Sequence, residues 1–273
     1  MTTYLDRYLQ GECIEVWDEL VALGSAVYDD GSPIALDALA VARETMRRAR
    51  HNIVLLLRRL YEVGYRFGYS WCSADAREFF ERELVPPPPI DEPDPDIAVQ
   101  LDTLEATIGP LPLSLRAWYE QIGAVNFVGA YPVDDPTDPE GFAHWEQVKA
   151  DEKQRFTQSY SAIQAERPCH HDLDPLWVYP FAYSRDLLEG SVRLEWVIAP
   201  DEYFKLGQPG GGYYSIVLPN ANADARVDYE WHNMTFVGYL RTCFRWGGFP
   251  GLECKRRRPE QKLAFLTHDL LPI

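Results

Sequence analysis

Six of the twelve residues from 85 to 96, VPPPPIDEPDPD, are proline, and this segment constrains the fold strongly. Proline holds φ at about −65° and has no amide hydrogen, so the segment can form neither a helix nor a central strand. We expect residues 86–96 to form an extended linker between an N-terminal helical region, 1–85, and an α+β domain, 97–273. A ligand for a proline-recognition domain is the alternative, and a spacer is the simpler interpretation.

The region before the linker has a regular hydrophobic pattern. Apolar side chains at a and d positions form a seam from residue 39 to residue 67: Leu39, Ala42, Met46, Ala49, Ile53, Leu56, Leu60, Val63 and Phe67. Ser32-Pro33 predicts the start of this helix, and residues 4–23 carry a second helical stripe that is interrupted near Gly11. The seam predicts either a helical hairpin packed on 4–23 or a dimeric coiled coil. Poor charge complementarity at the e and g positions favours the hairpin.

The opposite face of this helix is basic, with arginines at six positions: Arg43, Arg47, Arg48, Arg50, Arg58 and Arg59. Such a row can indicate nucleic-acid binding. The whole chain, however, has 42 acidic and 26 basic side chains and a net charge of −16. A field of this sign repels phosphate backbones and anionic lipids. We therefore predict arginines paired with nearby carboxylates, and neither nucleic acid nor a membrane as partner.

Cysteine spacing and hydropathy predict the cellular location of the chain. No CxxC pair occurs among the five widely spaced cysteines, so we expect reduced thiols: Cys13, Cys72, Cys169, Cys243 and Cys254. The first residues are polar, unlike a signal peptide. No run approaches the roughly 18 apolar residues of a membrane span. The expected location is the cytoplasm.

The second domain is organised around residues 111–132, LPLSLRAWYEQIGAVNFVGAYP. One face of a short helix carries four apolar side chains: Leu115, Trp118, Tyr119 and Ile122. We predict that Ser114 caps this helix and that Gly123 ends it. A first strand then follows at Val125, Phe127 and Val128.

Further strand-like runs lie downstream, at 176–183, 192–198, 213–218 and 227–231. Helical patterns flank them at 97–108, after Thr235, and near 260–270. Strands grouped between helices, without strict β-α alternation, predict an α+β fold. We expect a mainly antiparallel sheet with flanking helices, preceded by the N-terminal helical hairpin.

One local cluster has metal-ligand residue types, Cys169-His170-His171-Asp172 with Asp174, and His144 or His232 can join it from elsewhere. Ligands that are adjacent in the sequence do not easily occupy the positions of one tetrahedral metal site, and the sequence has no second, suitably spaced pair of ligands to complete it. A metal-dependent hydrolase that uses His170 and His171 is therefore an alternative hypothesis. No GxSxG, HExxH, Walker A or GxGxxG pattern occurs. We expect no catalytic residues, no metal and no cofactor.

Two loops carry weaker signals. The GQPGGG run at 207–212 leads into a strand, which favours a bend over a phosphate cradle at a helix N-terminus. An acidic loop has four carboxylates that can bind a basic protein or a cation, or remain solvated: Asp134, Asp135, Asp138 and Glu140. These four are the candidate protein-interaction residues.

Leu111-Pro112, the helix with Trp118-Tyr119, the stop at Ile122-Gly123 and the following Phe127 resemble the opening of a SUKH-superfamily domain. IAPD at 198–201, the Gly210-Gly211-Gly212 bend before YYSIVLP, and the helix after the last strand fit the same pattern. The resemblance covers roughly residues 97–253. It implies an α+β fold and a protein-binding module without enzymatic activity. That superfamily is typified by a yeast cell-wall synthesis regulator and by many bacterial immunity proteins, which neutralise a toxin, often a nuclease.

The predicted function is therefore a non-catalytic protein-interaction module, an immunity protein that neutralises a basic toxin. An acidic surface suits this role because complementary fields speed association. The alternatives are the hydrolase and a structural protein that forms a homodimer through the helix at 39–67. The WGGFPG motif at 246–251 is explained by a helix end and a tight turn.

Overall fold

A computed structural model describes most of the chain, in nine ranges: 2–29, 31–63, 65–67, 89–130, 174–189, 194–205, 210–230, 232–251 and 260–273. These residues form α-helices and three small antiparallel sheets, which confirms the α+β class. No helix in these ranges combines the length and apolarity that crossing a membrane requires.

The described helices are α1 (Tyr4–Leu9), α2 (Cys13–Ala22), α3 (Pro33–Glu62), α4 (Ile97–Ile108), α5 (Leu113–Gln121), α6 (Phe181–Glu189), α7 (Glu202–Lys205), α8 (Phe236–Arg245) and α9 (Glu260–Thr267). A 3₁₀ turn, Gly24–Tyr28, joins α2 to α3. Local signals explain some of their ends. Gly11 has a φ of 106° between α1 and α2, and the Ser32 hydroxyl accepts a hydrogen bond from the Ile34 amide at 3.2 Å.

Seven short strands are described: β1 (Arg66–Phe67), β2 (Ile90–Asp91), β3 (Ala124–Asn126), β4 (Gly129–Ala130), β5 (Trp177–Val178), β6 (Glu195–Pro200) and β7 (Tyr213–Val217). The first sheet pairs β1 with β4, the second has the order β2-β3-β5, and the third pairs β6 with β7. The proline-rich segment thus supplies β2, an edge strand, where prolines are tolerated.

The hydrophobic seam of α3 is buried inside the chain. Met46, Ile53 and Leu60 are fully buried, and α1, α5 and α9 pack against the helix. The helix ends at Glu62, so Phe67, the last seam residue, lies in β1 instead. A coiled-coil dimer would need these side chains at the surface, and their burial therefore favours packing within the chain.

Two predicted strands differ in the structure. Residues 181–183 were expected to end a strand, but Phe181 begins α6 and only β5 within 176–183 is extended. The strand expected at 227–231 is reduced to isolated bridges, which join Ser215 to Asp228 and Arg226 to Thr235. Thr235 caps α8 as predicted, since its hydroxyl accepts a hydrogen bond from the Gly238 amide at 3.3 Å.

A single apolar core joins residues on both sides of the proline-rich segment. Trp17 and Met46 belong to the same cluster of buried side chains as Trp118 and Phe236. The division into 1–85, 86–96 and 97–273 stays a prediction, and the two larger parts share this core. The C-terminal residues join it too, because the Asn52 side-chain amide bonds both the carbonyl and the N–H of Leu271, at 2.9 and 2.8 Å.

Candidate functional site

The arginines of α3 are largely neutralised by carboxylates of the same chain. Arg43 bonds Glu120 at 3.0 Å, and Arg50 bonds Glu92 at 2.6 Å. Arg47 and Arg48 share Glu44, and their hydrogen bonds hold the pKa of that carboxyl below its usual value. The predicted pairing is confirmed for these four arginines.

Other described helices use arginine in the same way. Arg7 forms a two-bond pair with Glu19, and Arg116 lies among Asp102, Glu105 and Glu120. Because these cations are matched within the chain, they add little positive potential to the surface. The surface field therefore follows the excess of acidic side chains, which gives the net charge of −16.

A group of five aromatic side chains, called the aromatic patch below, lies where β5, α6, α7 and β7 meet: Trp177, Tyr179, Tyr183, Phe204 and Tyr213. The Tyr179 ring centroid lies 5.6 Å from that of Trp177, 4.5 Å from Tyr183 and 6.3 Å from Tyr213. Phe204 continues the chain of contacts at 5.5 Å from Tyr213. The rings thus form one continuous chain of contacts.

The backbone places each ring of the patch. The Tyr179 amide donates to the Ile198 carbonyl at 2.8 Å, which holds Tyr179 beside β6. Asp201 caps α7, because its carboxylate accepts the Phe204 amide at 2.8 Å and the Gly212 amide at 2.5 Å. A Cβ on Gly211 would lie 2.5 Å from the Phe204 nitrogen, so only glycine permits this approach.

Burial makes two tyrosines of the patch, Tyr179 and Tyr213, harder to ionise than a free tyrosine. Burial raises the pKa of Tyr179 well above its usual value, and Tyr183, Tyr213 and Asp201 raise it further. Burial also raises the pKa of Tyr213, with Tyr183 next in importance. The negative charge near the patch therefore comes from carboxylates such as Asp201 and not from phenolates.

A buried ion pair lies behind the patch. Lys205 Nζ is 2.5 Å from Asp174 Oδ1, and their side chains are 0% and 1% exposed. The ammonium also lies 3.4 Å from the Tyr239 hydroxyl and 5.1 Å from the Tyr214 ring centroid. Burial raises the pKa of the neighbouring Cys243 thiol, so that thiol is not activated. With its side chains out of contact with solvent, this ion pair cannot reach a substrate.

Most residues of the predicted metal cluster fall outside the described ranges, namely Cys169-His170-His171-Asp172 and His144. Asp174 is described, and it is paired with Lys205. His232 lies with its Nδ1 2.6 Å from Glu230 Oε1. No group of three or more His, Cys, Asp or Glu side chains in the described residues is arranged to hold a metal. The metal hypothesis for His170 and His171 stays a prediction.

The acidic loop also falls outside the described ranges, so the structure does not place Asp134, Asp135, Asp138 or Glu140. The aromatic patch was not predicted from the sequence. Its signal was the aromatic run WVYPFAY at 177–183, which was interpreted only as part of a strand. A groove of about 430 Å³ between α4 and α6 is a further surface feature, and its lining is mainly apolar, with Leu104, Ile108 and Leu188.

Ser114 does not cap α5, contrary to prediction. The amides of Leu113 and Ser114 donate to the carbonyls of Asn222 and Ala223 at 3.1 and 2.9 Å. The Ser114 hydroxyl instead donates to Asp224 Oδ1 at 2.6 Å, and the Val237 amide donates to the other carboxylate oxygen at 3.1 Å. Burial raises the pKa of Asp224, and these hydrogen bonds oppose that rise. Asp224 therefore joins the start of α5 to the start of α8.

We expect Ser114→Ala to lower the free energy of unfolding by about 1–3 kcal/mol, because a buried carboxylate then loses a hydrogen-bond donor. Urea unfolding measures the change. Ser184→Ala is the matched control, since this serine is equally buried but its hydroxyl lies 3.4 Å from the neutral Tyr119 hydroxyl. Equal losses in the two variants would contradict a special role for the Asp224 bond.

Comparison with known proteins returns no match to a family model, to a curated protein or to a solved structure. The resemblance to the SUKH superfamily therefore stays a prediction, and the site is interpreted from its own chemistry.

Proposed function

We propose that this chain is a non-catalytic protein-binding module whose partner is a basic protein. A toxin, often a nuclease, is the partner class that the resemblance to SUKH immunity proteins implies. The observation that supports the proposal is the ion pairing of arginines with carboxylates of the same chain. Arg43, Arg50 and Arg116 are each matched by carboxylates of the chain, while the net charge is −16.

This arrangement favours one kind of partner. Carboxylates in excess of the cations create a negative field at the surface, and long-range attraction steers a positively charged protein towards it. Such steering raises the association rate more than it slows dissociation, and salt screens it. A basic protein partner with strongly salt-dependent association is therefore expected.

The test is capture of a partner from the native cell lysate on the immobilised full chain, followed by kinetics with the purified partner. We expect one stoichiometric basic protein, whose association rate falls by about 10-fold or more between low and high salt. Absence of a basic partner, or an association rate that salt does not change, would contradict the proposed function.

Charge variants locate the contact within this experiment. The triple change Asp134→Asn, Asp135→Asn and Asp138→Asn tests the predicted acidic loop, and it should slow association and weaken its salt dependence. The matched control, Glu15→Gln, Asp18→Asn and Glu62→Gln, changes the net charge equally at exposed positions of α2 and α3. Equal effects of both triples would assign the rate to the overall field and exclude the loop as the contact.

A further inference from the structure

The aromatic patch leaves large rings exposed. Tyr183 and Phe204 each expose 42% of their surface, whereas Tyr179, which contacts Tyr183 and Tyr213, is buried. Exposed aromatic side chains that pack on one another supply much contact area and lose little side-chain entropy when a partner binds. Interfaces concentrate their binding energy on such residues.

The patch is also anchored before any partner binds. Asp201 bonds the backbone of both Phe204 and Gly212, and the close approach at Gly211 holds α7 against the start of β7. Tyr179 is tied to β6 through the Ile198 carbonyl. A preorganised surface of this kind loses less free energy to ordering on association than a flexible one does.

The charges around the patch are mainly negative. Asp186 on α6 exposes 68% of its side chain, and Asp201 lies at the start of α7. Lys205 directly follows Phe204 in the sequence, yet its ammonium points inwards to Asp174 and is fully buried. Arg185 lies 3.2 Å from Asp186, so these two charges largely offset each other, and among the described side chains Asp201 supplies the negative excess. The surface thus combines aromatic faces with carboxylates.

We infer that the aromatic patch is part of the docking surface for the basic partner and that it binds arginine side chains of that partner. The inference rests on the proposed function. A guanidinium group is planar, is weakly hydrated, stacks on aromatic faces and bonds carboxylates through two parallel hydrogen bonds. A lysine ammonium is a strongly hydrated point charge and gains less from the same rings. The patch therefore distinguishes arginine from lysine at equal partner charge.

The experiment uses two fluorescein-labelled peptides with the full chain, one of four Arg-Gly-Ser repeats and one of four Lys-Gly-Ser repeats, in fluorescence anisotropy titrations. The arginine peptide should bind about five-fold more tightly than the lysine peptide. The double variant Tyr183→Ala and Phe204→Ala should reduce the affinity for the arginine peptide to that for the lysine peptide. Both side chains are partly exposed, so the fold should tolerate the change, and thermal unfolding checks this.

The matched control removes two exposed aromatic side chains from another part of the surface, Tyr61→Ala on α3 and Phe265→Ala on α9. This variant should keep the preference for the arginine peptide. A second variant, Phe204→Lys, keeps the side-chain length and adds a cation, and it should weaken both peptides. Equal affinity of the native chain for the two peptides would overturn the inference, as would equal losses in the two double variants.

The outcomes for the inference and for the proposed function are separable. A basic partner that binds the Tyr183→Ala and Phe204→Ala variant as tightly as the native chain would show that docking occurs elsewhere, and the proposed function would stand. Failure to capture any basic partner from the lysate would contradict the proposed function itself.

Discussion

Replacement of Lys205 by methionine is expected to lower the free energy of unfolding by about 3–5 kcal/mol, because it leaves the buried Asp174 carboxylate without its cation. Methionine has a flexible chain of similar length, so most of the loss reflects charge and not volume. Urea unfolding followed by tryptophan fluorescence measures the change. The matched control is Arg185→Met, which breaks an exposed pair with Asp186 and should cost at most about 1 kcal/mol.

The double variant Lys205→Met and Asp174→Leu compares the free-energy cost of burying the two charges with the free energy gained from their attraction. Removal of both charges also removes the cost of taking them out of water, and an apolar replacement is often as stable as the pair. We therefore expect the double variant to be more stable than the single variant Lys205→Met. A loss below about 1 kcal/mol in Lys205→Met would mean that water reaches Asp174 in solution.

The ion pair also connects stability to the aromatic patch. Lys205 is the last residue of α7, and Phe204 precedes it directly. Without the pair, the short helix keeps the Asp201 cap but loses its buried anchor. We expect peptide binding at the patch to weaken in Lys205→Met even under conditions in which the variant remains folded.

Apart from α6 and α7, the described helices followed from the sequence because their signals are local. Ser32-Pro33 marks the start of α3, its apolar spacing marks its buried face, and Gly123 ends α5 with a φ of 86°. The interval from 176 to 183 was harder, since a short apolar run does not separate strand from helix. The residues that follow carry the helix signal, because Phe181, Ser184 and Leu188 are buried and recur at helical intervals.

Features that depend on distant residues could not be predicted. The Ser114 hydroxyl bonds Asp224, 110 positions away, and the first amides of α5, those of Leu113 and Ser114, donate to the carbonyls of Asn222 and Ala223. The aromatic patch likewise combines Trp177 with Phe204 and Tyr213 from separate elements. Local patterns report propensity and burial, whereas these contacts exist only after residues that are distant in the sequence have come together.

Replacement of Gly123 by alanine is expected to lower the free energy of unfolding by about 3 kcal/mol or more. Its φ of 86° disfavours any side chain, and the new Cβ would lie 2.5 Å from the Asp91 carbonyl oxygen. It would also lie 3.0 Å from the Pro93 nitrogen. Both contacts are with backbone atoms, which cannot rotate away as a side chain can. Chemical denaturation measures the loss.

Gly210→Ala is the matched control for this prediction. Gly210 has a φ of 87°, and a Cβ there would meet nothing within 4 Å, so the variant should lose only about 1–2 kcal/mol to backbone strain. The difference between the two variants measures the packing of the proline-rich segment against the end of α5. A clear excess loss in Gly123→Ala would establish that β2 is a fixed edge of the sheet, while equal losses would mean that the segment is free to move away.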